Sequence, residues 1–283
     1  MTATALDACL CLLLISAAAV TVTSAPSPTA ADEADRADAV AETLAATTAD
    51  VPYTLQPVPN GDGDADTNPE FERVAHGTLA SLLADAAVRT VRVDGEPLTG
   101  TNERFAAAAR TTVADQLPSR TRVVVRWEPF PGAHLGRSFA VGPTPPTDAG
   151  VNAATVRAPS GVDPPANAST AASEGGFTRL GSVVANSLVT GLLPPDRGRL
   201  ALADDAPLDD LVRYRYRQVS DRYGVETAPA IERGDTRAAN RKIATAMAER
   251  VAGDLRDGAE TPADAASSLE LGTVEISVRT WSP

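Results

Sequence analysis

Lysine is nearly missing from this chain. Lys242 is the single lysine among 25 basic residues, which face 37 acidic ones. Cysteine is almost as scarce: Cys9 and Cys11 are the only two. They stand two apart in one apolar run, where a helix points them away from each other. Nothing downstream of them can form a structural disulfide or a thiolate zinc site. Histidine occurs twice, at His76 and His134, which excludes a histidine-rich metal site. The aromatic residues amount to five Phe, two Trp and four Tyr. Any core must therefore come mainly from Ala, Val and Leu.

Catalytic signatures are missing too. There is no P-loop and no G-x-G-x-x-G, and the stretch Gly136-Arg137-Ser138-Phe139-Ala140 lacks the second glycine of a nucleophile elbow. Acid pairs are abundant, but in an Asp-rich chain they carry no weight for general acid–base work. No cofactor and no enzymatic activity are expected.

The formal net charge is -12. Acid excess, alanine richness and missing lysine together describe a salt-adapted proteome. Carboxylates keep a surface hydrated where the Debye length has shrunk to about 3 Å, as at 1 M salt. The acidity thus speaks of habitat rather than ligand. It argues against nucleic acid as a partner, since phosphate-backbone binding needs clustered cations.

Ala8 to Ala31 carries no charged side chain. Its strongly apolar part, Ala8 to Val22, is shorter than the roughly 20 residues that comfortably span a bilayer. Thr21, Thr23 and Ser24 extend it, because hydroxyls bond back to the helix backbone. Pro26 and Pro28 end it. A helix from Ala8 to Ala25 would be about 27 Å long. No Lys or Arg precedes the run, as a secretory signal would require, although Thr23-Ser24-Ala25 is a weak cleavage pattern. A retained anchor is favoured over a cleaved signal or a buried cytosolic helix. The expected topology is single-pass in the cell membrane, with the lipid bilayer as partner and the bulk of the chain extracytoplasmic. Asp7 has two readings: an interfacial acid at a helix N-terminus, or a pilin-like acid pairing with a neighbouring subunit's amine during membrane assembly.

The pattern divides into an anchor (1–25), a helix with an acidic Pro/Gly linker (26–69), and an extracytoplasmic α+β domain (70–283). Residues 33–48 read as a helix with Ala37, Val40, Ala41, Leu44 and Ala45 on one stripe. Residues 51–59 are extended, with prolines that forbid a central strand. The acidic turn 60–70 fails the EF-hand pattern: counted from Asp62, the sixth position is Thr67 and the twelfth Arg73. Helices are expected over 71–88, 101–117, 177–193, 204–224 and 235–255. Strands are expected over 89–98, with a turn at Asp94-Gly95, and over 120–129 and 273–281. Residues 129–176 read as loop with two extended pieces, 137–142 and 151–159.

Two stretches align, beginning at Asn102 and Asn240. Each is followed by a Val/Arg strand ending near a tryptophan, Trp127 or Trp281. The domain therefore reads as a possible duplication of a helix–helix–strand unit, 71–128 and 177–281. Two helix layers over one antiparallel or mixed sheet would bury the Ala-rich stripes in a two-layer α+β architecture.

One helix is locally basic. Arg213, Tyr214, Arg215, Tyr216 and Arg217 interleave arginine with tyrosine, both good interface residues. They form a candidate partner-binding face, or else a helix satisfied by its own pairs such as Asp209 with Arg213. His76 reads as a structural histidine on a helix, and His134 sits in a Gly/Pro loop. Asn167-Ala168-Ser169 is an acceptor pattern for glycosylation.

With its anchor, the stretch His76–Val88 and the salt-adapted composition, the chain resembles a family of uncharacterised haloarchaeal membrane-anchored proteins. That family is associated with gene clusters of pilin-like and type II/IV secretion components. The resemblance implies a cell-surface role, structural or interactive, beside membrane-assembly partners. A tethered extracellular ligand-binding module is the alternative, and a surface hydrolase the third reading.

Overall fold

The computed structural model describes residues 30–55 and 71–282. The apolar leader with Asp7 and the acidic stretch 60–70 lie outside the described residues. Helix α1 (Ala30–Ala46) buries Ala37, Val40, Ala41 and Leu44, the 3–4 spacing of one helical face. Strands β1 (Thr48–Thr54) and β2 (Glu72–Thr78) form an antiparallel two-stranded ribbon. Pro52 is tolerated because each strand of a ribbon has one edge outside the ladder. Thr78 then caps helix α2 (Leu79–Arg89), its hydroxyl accepting the Ser81 N–H at 3.1 Å.

The two-residue strands β3 (Arg92–Val93) and β4 (Glu96–Pro97) turn on Asp94 and Gly95. Both have positive φ, 53° and 82°, as a tight hairpin turn demands. Helix α3 (Glu103–Ala114) and strands β5 (Thr121–Trp127), β6 (Leu135–Val141) and β7 (Val151–Pro159) follow. Then come helix α4 (Ala168–Leu192), kinked at Gly176, and helices α5 (Pro195–Leu202) and α6 (Leu208–Tyr223). Helices α7 (Ala228–Glu232), α8 (Thr236–Gly258) and α9 (Pro262–Ser267) precede the last strand, β8 (Thr273–Trp281).

The larger sheet has six antiparallel strands in the order β4-β3-β6-β5-β8-β7. Alternation along its two central strands decides where the core lies. Val123, Val125 and Trp127 on β5 stand on the same face as Val274, Ile276 and Val278 on β8, and all six are fully buried. Register places Val123 opposite Val278 and Val125 opposite Ile276. The intervening Arg122, Arg126, Glu275 and Arg279 occupy the other face, which is open. Helices α1 and α2 lie against the buried face. Burial of Trp127 is compatible with its polar edge because the indole N–H donates to Leu271 O at 3.0 Å.

Helices α4 and α8 pack along each other and join the same core through Leu180, Val184, Leu188, Ile243, Met247 and Val251. Their closest approach is at Gly181. A β-carbon there would lie 2.7 Å from Ala252 Cβ and 2.8 Å from its Cα, so only glycine fits.

The chain thus has a mixed α+β fold with antiparallel sheets and Ala-rich helices. Three expectations change. The stretch 71–88 is not one helix: 72–78 pairs with β1 along its whole length, a long-range contact that overrides the helical spacing. Helix α4 begins at Ala168 rather than 177, since Gly176, at φ 60°, lets two helical pieces join across a kink. Ala45 is exposed although it follows the buried stripe. β5 and β8, the strands that a duplication would pair, are neighbours, but the helix pairs before them differ in length. Among the described residues no helix is long and apolar enough to cross a membrane.

Gly181→Ala is expected to lower the unfolding free energy by about 1–3 kcal/mol through overpacking. Gly253→Ala, on the same helix pair with no heavy atom within 4 Å of the added carbon, is expected to raise it by about 0.5–1 kcal/mol through helix propensity. Urea unfolding of both variants checks this; equal effects would show that close packing does not limit the helix pair.

Candidate ligand-binding cleft

Helix α6 is amphipathic. Leu208, Leu211, Val212, Arg215, Tyr216 and Val219 recur at three- and four-residue steps, and this stripe turns inward. An arginine therefore occupies a position that the pattern reserves for apolar side chains. The helix is stopped by Gly224 in the left-handed conformation, φ 63°.

The five residues of the basic run divide between faces, because neighbours in sequence are about 100° apart on a helix. Arg213 is exposed and lies 3.6 Å from Asp209. Arg217 is exposed and stacks over the Tyr214 ring at 5.4 Å. Arg215 and Tyr216 face the interior. Tyr216 is 2% exposed and donates to Asn240 Oδ1 at 2.7 Å, while Asn240 Nδ2 donates to Leu193 O at 2.8 Å. Burial holds the Tyr216 phenol well above its ordinary range.

Arg215 reaches a cleft of about 810 Å³. Its walls are the β1–β2 ribbon at Tyr53 and Arg73, the end of α2 at Asp85 and Arg89, the C-terminal end of α4, the start of α5 and the inner face of α6. The guanidinium is positioned by the entry to α3. Its Nε donates to Thr101 Oγ1 at 2.8 Å, and its Nη2 to Asn102 Oδ1 at 3.2 Å. Asn102 is itself held through its Nδ2, which donates to Arg89 O at 3.2 Å.

Among the described residues no carboxylate pairs with Arg215. Burial and the neighbouring Arg89 cation lower its pKa from 12.5 to about 10. Arg89 differs: Asp85 Oδ2 lies 2.7 Å from its Nη2, and its guanidinium covers the Phe105 ring at 4.9 Å. Among the described residues four arginines line the cleft, Arg73, Arg89, Arg197 and Arg215, against three aspartates, Asp85, Asp163 and Asp196. Asp196 also pairs with Arg237.

The model of a family of unknown function, DUF7284, matches residues 6–281. The chain belongs to this family. No curated protein and no solved structure matches it. For this DUF7284 member the arrangement of side chains is therefore the source of any functional reading.

The remaining candidates lie elsewhere. His76 is on β2 rather than a helix; it is exposed and bonded to Asp50 at 2.7 Å. The His134 side chain is 3% exposed and ties its loop to α8 and α6: its Nδ1 and backbone N–H meet Asp254, and its Nε2 is 3.2 Å from the Tyr223 hydroxyl. That cluster works as a strut and does not line the cleft. Asn167 is exposed at the start of α4, where its sequon is accessible. Asp7 lies outside the described residues. Among those residues no group of three or more His, Cys, Asp or Glu is arranged to hold a metal ion.

Sequence reasoning grouped Arg213 to Arg217 as one partner-binding face and did not separate Arg215 from the arginines beside it. The available signal was its place in the Leu208–Val219 stripe. The cleft itself had no signal, since its walls come from segments scattered between Tyr53 and Tyr216.

Replacing Tyr216 with Phe is expected to cost about 1–2 kcal/mol at neutral pH, because Asn240 Oδ1 loses its donor. The pH dependence follows from the raised phenol. The unfolded tyrosine releases its proton from pH 10.0 upward while the folded one keeps it, so the unfolded state binds fewer protons and stability falls as pH rises. Wild type should lose about 1.4 kcal/mol more per pH unit than Tyr216→Phe in that range. Chemical denaturation on both sides of pH 10 measures the two slopes, and parallel slopes would contradict the burial argument.

Proposed function

We propose that this protein is a non-enzymatic, membrane-tethered binding module of the cell surface, with its α+β body outside the cytoplasm. The observation that carries the reading is the cleft. It is large enough for a small molecule, and its lining among the described residues includes no histidine or cysteine. Binding is thus the chemistry its polar groups serve best: oriented arginine, hydroxyl and amide donors rather than a nucleophile with a base. The uncharged run Ala8–Ala31 supplies the tether, and the accessible sequon at Asn167 agrees with an external body.

A second contact surface favours partners in a pilus-like or secretion assembly. Arg122, Arg126, Arg157 and Arg279 share the open face of the large sheet with Glu275, and Arg126 pairs with Glu128 at its end. This is a net positive strip on a chain of charge -12. Complementary potential of this kind sets orientation and encounter rate between partners.

Fractionation of native cells tests the tether. The full chain is expected in the membrane pellet, resistant to high salt, released by detergent and cleaved by protease added to intact cells. Recovery as a soluble cytosolic species starting at Met1 would overturn the proposal.

A further inference from the structure

The cleft holds a cation that no carboxylate among the described residues neutralises. Arginine has five N–H donors. Two groups on Arg215, Nε and Nη2, are used to position it on Thr101 and Asn102, and Nη1 has no protein acceptor among the described residues. Burial and the neighbouring Arg89 cation both disfavour the charged form of Arg215, although Arg89 itself pairs with Asp85. Such an arrangement is the opposite of what packing alone would select at an inward position of α6. A hydrophobic residue of similar length would fit the stripe with no desolvation cost.

We propose that the cleft binds a small ligand through an oxyanion, carboxylate or phosphate, with Arg215 as the principal contact and Arg89 beside it. This rests on the reading of the cleft as a binding site and not on the membrane tether. Three features support an oxyanion. A guanidinium presents parallel N–H groups that match two oxygens of a carboxylate or phosphate. The Thr101–Asn102–Arg89 chain fixes its plane before a ligand arrives, which lowers the ordering cost of binding. Partial burial strengthens the contact and protects it from screening by salt. A small ligand fits better than a polyanion, because the net charge of -12 repels a long anionic polymer outside the cleft.

The experiment uses the full chain extracted in detergent. Its melting temperature is followed while inorganic phosphate or citrate replaces chloride at constant ionic strength. Wild type is expected to melt higher in at least one of the two anions, and the more effective one names the oxyanion. Arg215→Met is expected to melt higher than wild type without added anion and to bind the effective anion at least about tenfold more weakly, the loss of one charge-assisted contact. Arg89→Gln should weaken binding by a smaller factor. Arg126→Gln, on the open face of the sheet, should leave it unchanged. No response of wild type to either anion, or a response retained in Arg215→Met, would overturn the proposal. So would equal losses in Arg215→Met and Arg126→Gln, which would mark diffuse electrostatics instead of a site. A negative result here leaves the tether standing, and a soluble native protein would leave a positive result standing.

Discussion

Everything in this fold depends on covering one face of an antiparallel sheet with helices that have little bulk to offer. The buried face centres on β5 and β8, where valine and isoleucine stand opposite one another and Trp127 fills the end. With so few aromatic side chains in the chain, the covering helices cannot fill space by size. They approach closely instead. Alanine stripes on α1 and α2 bring their backbones near the sheet, and Gly181 lets α4 contact the backbone of α8 at Ala252. Close approach replaces large side chains as the source of dispersion contacts. It also makes the fold sensitive to one added carbon at a few positions and tolerant at many others.

The same constraint creates the cleft. Short helices and a two-stranded ribbon meet there, and among the described residues no single element closes the space. The wall from α6 carries an arginine in a stripe of apolar residues, and the described residues satisfy that arginine only in part. Proteins retain such local conflicts where binding needs them, since a stable apolar substitute is always available. The buried tyrosine one residue further on shows the contrast. Tyr216 is fully paired through Asn240 to Leu193 and serves as a brace. Adjacent residues on one helix thus have different work: one holds the wall in place, the other presents charge to the space it encloses.

Much of the architecture was legible in residue order. The strands 121–127 and 273–281, the turn at Asp94-Gly95, the stop at Gly224 and the long helix after Asp235 all follow from short-range chemistry: alternation, positive φ and capping. The failures share a cause. The stretch 72–78 reads as helix only as the lead-in to the Leu- and Ala-rich residues after it, and it becomes a strand because β1 offers a partner across the ribbon. The extent of α4 depended on a glycine kink, which a linear pattern reads as an end. Pairing between distant segments is a long-range contact, and local propensity is too weak to overrule it.

The basic run 213–217 makes the division plain. Its residue types, its helical state and the inward stripe around it are all determined by the order of side chains and a rotation of about 100° per residue. Which arginine is neutralised is not. Arg213 has its acid four residues away, and Arg217 its ring three residues away, so their environments are local. Arg215 meets Thr101, Asn102 and Arg89, more than a hundred residues distant, and among the described residues tertiary structure brings a second cation to it and no carboxylate. Sequence set the charge and its face; folding decided which groups surround it, because electrostatic environment is a property of what surrounds a group in space rather than along the chain.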